Sequence, residues 1–215
     1  MKKNCYVLLV LLFTCSLIQA QENDKEEKNE KEKKSKFQLI GTGNIGFAIV
    51  KSNHEPTYNL NSNGGEILLN YKFSDKNGVA IGFGHTELTG NGFNTVGDFY
   101  HQRSFIKIPL LYTMEYQIAE KIKYLSNFGL YAQTIVRDEY QFLNNTQNNI
   151  YGGWNFGLEA SIGIVFEVSE KFSAGINFSG QFDFTKLKTN KNQIINDQQR
   201  IENQNSLGLL LLFEL

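Results

Sequence analysis

The chain has 215 residues, of which 41% are hydrophobic, 13% aromatic and 20% charged, with 19 Gly, 2 Pro and a formal net charge of −1. That is enough chain for a full core in one or two domains, and it excludes a disordered, collagen-like or disulfide-stapled polypeptide. The near-zero charge argues against nucleic acid as a partner, and abundant Gly and Phe with few Leu- and Ala-rich amphipathic stretches favour an all-β chain over a soluble helical enzyme.

The N-terminus reads as an export signal. Lys2 and Lys3 precede an apolar run from Tyr6 to Phe13, and Ile18-Gln19-Ala20 offers a small residue for cleavage after Ala20. The run is too short to cross about 30 Å of hydrocarbon as a helix. Cys5 and Cys15 both lie within this segment, so the exported chain is expected to carry no thiol, disulfide or thiolate metal site. Lipid attachment at Cys15 is the sharper alternative, and Phe13 and Thr14 are bulky for such a processing site. Without Lys2 and Lys3, 19 basic residues face 22 acidic ones, a charge of −3. Residues 21–36 (QENDKEEKNEKEKKSK) then hold six acids, six lysines and nothing apolar. Such a segment has no burial to offset its ordering entropy, and it is expected to be a charged, flexible periplasmic tail.

From Phe37 onward apolar residues alternate with small or polar ones at a period of two. The runs fall at about 37–50, 65–73, 79–88, 104–118, 122–137, 154–168, 172–184 and 203–215, which predicts eight strands. In the first, Gly41-Thr42-Gly43-Asn44-Ile45-Gly46 matches a dinucleotide-binding pattern, but that fingerprint must open a helix, and here the chain continues as strand. In the third, His85-Thr86-Glu87 invites comparison with outer-membrane lipid deacylases, whose His-x-Ser-Asn motif is absent. The histidines His54, His85 and His101 lie in or near long loops without metal-ligand spacing and are expected to be solvated. The sixth run is the clearest, with Trp154, Phe156, Leu158, Ala160, Ile162, Ile164, Phe166 and Val168 on one parity and Asn155, Gly157, Glu159, Ser161, Gly163, Val165 and Glu167 on the other. Ser169-Glu170-Lys171 joins it to the seventh.

Three features put the apolar parity against lipid and not inside a soluble barrel. Several runs exceed the usual length of soluble strands, and a tilted membrane strand needs about 9 to 11 residues. Connections alternate between long (51–64, 89–103, 138–153, 188–202) and short (74–78, 119–121, 169–171), the asymmetry of outer-membrane barrels. The apolar parity carries no Lys, Arg, Asp or Glu in its central stretches, where a charge facing lipid costs about 2–4 kcal/mol. Phe73, Tyr116, Tyr124, Phe172 and Phe213 fall near the short-turn end and Phe47, Phe83, Trp154, Phe182 and Phe184 near the other, as two interfacial girdles would.

RSFIKIPLLYTMEYQI followed by KIKYLSNFGLYAQTI resembles the central hairpin of the outer membrane protein β-barrel domain family, small porin-like barrels of Gram-negative bacteria. Leu207, Leu209, Leu211, Phe213 and Leu215 alternate to the chain end, similar to the terminal signal read by the barrel-insertion machinery, although Leu stands where an aromatic residue is usual. The resemblance implies an all-β fold, an eight-stranded antiparallel up-and-down transmembrane barrel with short periplasmic turns and long extracellular loops, located in the outer membrane. It implies outer-membrane lipid and lipopolysaccharide as surroundings and no single activity.

An eight-stranded barrel is just wide enough to be filled by side chains. The inward parity holds Glu66, Lys72, Lys107, Glu115, Lys123, Arg137, Glu159, Glu167, Asp183 and Glu214, an expected internal charge network of mixed sign. A structural or binding role at the cell envelope follows, without catalysis and without cofactor or metal; an envelope protein partner fits that role. A narrow solute pore, a membrane-embedded lipid hydrolase and a soluble lipocalin-like barrel are the competing readings. The Asn-, Gln-, Gly- and Tyr-rich long loops serve either hydration or ligand binding.

Overall fold

The computed structural model describes residues 35–190 and 197–215. The expected signal, most of the charged tail and Cys15 lie outside these residues. The strands are β1 (Phe37–Ser52), β2 (Tyr58–Lys72), β3 (Asn77–Asn94), β4 (Gly97–Ala119), β5 (Ile122–Phe142), β6 (Asn145–Asn148), β7 (Tyr151–Gly152), β8 (Trp154–Ser169), β9 (Phe172–Asp183), β10 (Leu187–Thr189) and β11 (Gln198–Glu214). Eight long ones, β1 to β5 with β8, β9 and β11, pair antiparallel in sequence order, and β11 returns to β1 with Gln38 opposite Glu214. The ring is closed and leaves no long edge strand. The short strands extend the rim at the long-loop end, β6 on β5 and β10 between β11 and β7.

The outward parity is apolar around a belt. Ile45 and Phe83 are each 69% exposed, Leu209 65% and Ile67 63%. A soluble lipocalin-like barrel is thereby ruled out, because its apolar parity would face inward. The GTGNIG segment lies in the wall, with Gly41 opposite Ile67 on one side and Leu211 on the other. Pro109, which has no N–H to donate, sits in a gap of the β3–β4 ladder between the pairs Ile81–Leu110 and Gly84–Lys107.

The strands run well past the expected loop boundaries. β2 begins at Tyr58, β3 and β4 meet in a hairpin across 95–96, and β5 reaches Phe142. Beyond the lipid belt the chemistry of the two faces inverts. Asn59, Asn61 and Asn63 point outward, while Tyr58 and Leu60 are buried inside. Two β-bulges add a geometric inversion. Ser104 pairs with Arg137 but Phe105 with Ile135, leaving Val136 extra, and Ile49 pairs with Asn203 but Val50 with Ile201, leaving Glu202 extra. Each extra residue moves the following side chains to the other face. The alternation legible in the sequence stops at these two points for that reason.

Close packing through the wall depends on Gly157, which stands opposite Tyr131 in the β5–β8 ladder. A Cβ there would press on the Tyr131 ring and the Phe182 carbonyl, whereas one on Gly43 would meet no atom within 4 Å. Gly157→Ala is expected to cost about 1–3 kcal/mol by overpacking, seen as a lower urea midpoint for loss of the folded gel band. Gly43→Ala should leave the midpoint unchanged.

Candidate functional site

The barrel interior is a stack of alternating layers. At the short-turn end, Lys72 pairs with Glu115 (3.0 Å) and Glu214 (2.8 Å), and Lys123 with Glu115 (3.1 Å) and Glu167 (2.9 Å). Gln38 Nε2 donates to both Glu115 and Glu214 at 3.1 and 2.9 Å. These residues come from β1, β2, β4, β5, β8 and β11, so the cluster ties six of the eight strands together. Above it lies an apolar disc of Ile40, Leu68, Ala80, Leu111, Leu125, Val165, Leu210 and Leu212. This apolar layer interrupts the charge network expected along the lumen.

At mid-height Lys107 Nζ meets Glu159 at 2.8 Å and Gln181 Oε1 at 2.9 Å, and also contacts Glu66. Gln181 donates to Gln204, which donates to Ser62. The remaining cavity here is about 20 Å³, room for about one water. Asp183 is held differently. It accepts from the Tyr131 hydroxyl (2.6 Å), Gln133 (3.1 Å), Asn155 (2.6 Å) and the Ile201 N–H (2.7 Å). A buried carboxylate with that many donors is satisfied without an ion pair.

Nine of the ten interior charges expected from parity therefore face the lumen, in two ion-pair clusters plus the hydrogen-bonded Asp183. Arg137 does not. The Val136 bulge turns it outward, where it is half exposed and pairs with Glu139 at 2.8 Å. The residue that points inward in its place is Asp138, 1% exposed.

Asp138 belongs to a buried cluster that sequence reading assigned to loops. Above the lipid belt, Arg103 Nε donates to Asp138 Oδ1 at 2.8 Å, His101 Nε2 lies 2.9 Å from the same oxygen, and the Tyr151 N–H donates to Oδ2 at 2.9 Å. Tyr58 Oη is 3.0 Å from His101 Nδ1 and 3.1 Å from the Tyr140 hydroxyl, which accepts from Arg103 and donates to Gln199. The Tyr140 ring stacks on His101 at 3.9 Å. His101, expected to be solvated, is fully buried. Burial first, and then the Arg103 charge, push its pKa down to about 4, so the ring is neutral, with Nε2–H toward Asp138 and Nδ1 accepting from Tyr58. Burial likewise pushes the Tyr58 hydroxyl up to about 12. Neither group is poised to exchange a proton near neutral pH, and the arrangement holds strands together. The detectable signal was the shared parity of Phe99, His101 and Arg103 on β4, which the polar Tyr100 and Gln102 obscured.

His85 points outward opposite Gly65, and among the described residues no group of three or more His, Cys, Asp or Glu side chains could hold a metal. Beneath and around the polar cluster, Ala48, Val50, Leu60, Leu88, Phe105, Leu187 and Ile201 form an apolar plug with the buried aromatics. Beyond the plug, the long-loop end opens as a cup of about 290 Å³ walled by Tyr58, Phe99, Tyr140 and Tyr151.

No protein-family model and no curated protein matches the chain. Solved structures do. Neisserial surface protein A is similar with a TM-score of 0.53 at 11% identity, over 86% of this chain and 100% of that one. A major outer membrane protein from Thermus thermophilus is similar with a TM-score of 0.49 at 9% identity, over 82% and 98%. The outer membrane protease OmpT from Escherichia coli is similar with a TM-score of 0.46 at 8% identity, over 87% and 99%. The first of these likenesses shows the fold: an eight-stranded antiparallel barrel of the outer-membrane type. A fold of this kind hosts unrelated activities, so function rests on the residues of this chain.

Proposed function

We propose that the chain is an integral outer-membrane protein with a structural or binding role at the cell envelope and no catalytic activity. The observation that carries this reading is the filled lumen. A solute would have to pass the Lys72–Glu115–Lys123 cluster, the apolar disc around Leu68 and Leu111, the Lys107 cluster and the plug around Phe105 and Ile201. Each charged layer pairs its lysines with carboxylates and keeps one acid in excess, and apolar constrictions exclude water. The buried His101 is neutral and closed off by Tyr58 and Asp138, which fits a structural role for that cluster.

The belt of exposed apolar side chains would be covered by outer-membrane lipid and lipopolysaccharide, with the short turns in the periplasm and the cup at the cell surface. Export with cleavage after Ala20, and recognition of the alternating C-terminal strand by the barrel-insertion machinery, belong to the same proposal. The refolded barrel is expected to show no steady unitary conductance in a planar bilayer. A reproducible unit conductance would replace this reading with the narrow pore. Fractionation should recover the protein in the outer membrane with heat-modifiable gel migration; recovery from the soluble periplasm would overturn the location.

A further inference from the structure

The cations that face outward at the long-loop end are unevenly placed. Among the described residues they are Lys51, Arg137, Lys186, Lys188 and Arg200. Arg137 stands apart on β5 and is paired with Glu139. The other four gather on one side of the barrel, where β10, β11 and β1 run next to one another. Lys51 and Arg200 are opposite each other in the β1–β11 ladder, and Lys188 is opposite Gln198. Lys186 reaches across the outer face of β11. Its Nζ donates to Asn53 Oδ1 at 2.6 Å, and the Asn53 N–H extends the β1–β11 ladder to the Gln198 carbonyl.

The acids near this group do not neutralise it. Glu202 Oε1 lies 2.8 Å from Lys51 and 3.8 Å from Arg200, so one carboxylate is shared between two cations. Such exposed pairs are weak. Asp183 and Asp197 point into the barrel, where they accept from the Tyr131 and Tyr151 hydroxyls. Residues 191–196, outside the described set, read KNQIIN, a lysine and no acid, and add no negative charge. The side chains of Lys51 and Arg200 are 47% and 32% exposed, and Lys186 and Lys188 are exposed as well, so a ligand reaches all four.

The height of the cluster identifies the anion. Phe182, Phe184, Lys186 and Lys188 follow at every second position, as do Phe47, Ile49 and Lys51 in β1. Phe47, Phe182 and Phe184 are exposed side chains of the apolar belt. The cations therefore begin about 7 Å of chain beyond the aromatic edge of the belt, at the level of lipid headgroups.

We infer that the β10–β11–β1 face binds the phosphorylated head of a lipopolysaccharide molecule in the outer leaflet. Lys51, Lys186 and Arg200 donate charge-assisted hydrogen bonds to its phosphate oxygens, and Lys188 adds charge at the rim. Its acyl chains lie against Phe47, Phe182 and Leu207. The inference rests on the proposed outer-membrane location, and it turns general lipid surroundings into one site with named residues.

Full-length protein, refolded in an uncharged maltoside detergent, is titrated with diphosphoryl lipid A, and native mass spectrometry reads the fraction of barrels that carry one lipid. Monophosphoryl lipid A has one phosphate fewer, phosphatidylcholine has a head that is neutral overall, and inorganic pyrophosphate supplies phosphate without a lipid. One diphosphoryl lipid A should bind saturably, the monophosphoryl form more weakly and phosphatidylcholine more weakly still, and pyrophosphate at equal concentration should not displace the lipid. The variant Lys51→Gln with Lys186→Gln and Arg200→Gln should weaken lipid A by about a hundredfold, at about fivefold per cation at an anionic lipid surface. Arg137→Gln should leave binding unchanged. Lys188→Gln alone, with an expected loss of about fivefold, keeps the test available if the triple variant misfolds, as judged by loss of heat-modifiable migration. Equal binding of phosphatidylcholine, displacement by pyrophosphate, an equal loss in Arg137→Gln, or undiminished lipid A binding by the folded triple variant overturns the inference. Any of these results leaves the location standing, since fractionation tests that separately.

Discussion

Replacing Asp138 with alanine is expected to destabilise the outer part of the barrel by about 3–5 kcal/mol, the range for breaking a buried ion pair by removing one partner. Arg103, 1% exposed, would be left with a hydroxyl and a ring face in place of its carboxylate. His101 and the Tyr151 N–H would lose the same acceptor. The cost falls above the lipid belt, so the effect should be local. Limited proteolysis is expected to cut first in the β3–β4 and β5–β6 extensions, while the belt strands stay protected and the protein remains membrane-inserted. Asp138→Asn keeps one acceptor oxygen, for the His101 and Arg103 side or for the Tyr151 N–H but not for both, and should cost less than Asp138→Ala. Wild-type protease resistance in the alanine variant would show that the cluster does not hold the extension closed.

Lys107→Ala is the second large effect. It removes the cation that sits between Glu66 and Glu159 and leaves two buried carboxylates facing a space they share. The expected loss is again about 3–5 kcal/mol, observed as a lower urea midpoint of the folded band. The variant Lys107→Met with Glu66→Gln and Glu159→Gln carries no buried charge at this level and should recover most of that loss. Bilayer recordings of all these variants should stay silent, because the apolar disc below and the plug above do not depend on Lys107. A variant that conducts would mean that the central cluster is the gate of a pore.

The readable part of the interior shares one property. Lys72, Glu115, Lys123, Glu167 and Glu214 at the base, and Glu66, Lys107 and Glu159 at mid-height, all lie in stretches where strand parity is uninterrupted and the opposite parity faces lipid. In such a stretch a charge on the non-apolar parity has one direction available, and closing the ring then brings opposite signs together. Arg137 and Asp138 lie one and two residues past a bulge. The same parity rule gives the wrong answer for both, since nothing in the local sequence marks Val136 as the extra residue. His101 and Arg103 lie beyond the belt, where water outside and packing inside reverse the hydrophobic contrast, so their strand looked like a polar loop.

The division between sequence and tertiary structure is therefore physical. The amino-acid sequence by itself determined the barrel, its eight strands and the side turned to lipid, because a membrane strand must show an unbroken apolar parity to hydrocarbon and the price of a charge there is high. Only the tertiary structure decided where the barrel ends relative to its rim, which of Arg137 and Asp138 points inward, and that aromatic residues from β2, β4, β5 and β7 meet two carboxylates in one cup. Those outcomes depend on register, on single-residue bulges and on partners more than 40 positions apart, such as Tyr58 and His101. Periodicity along one strand contains none of that information.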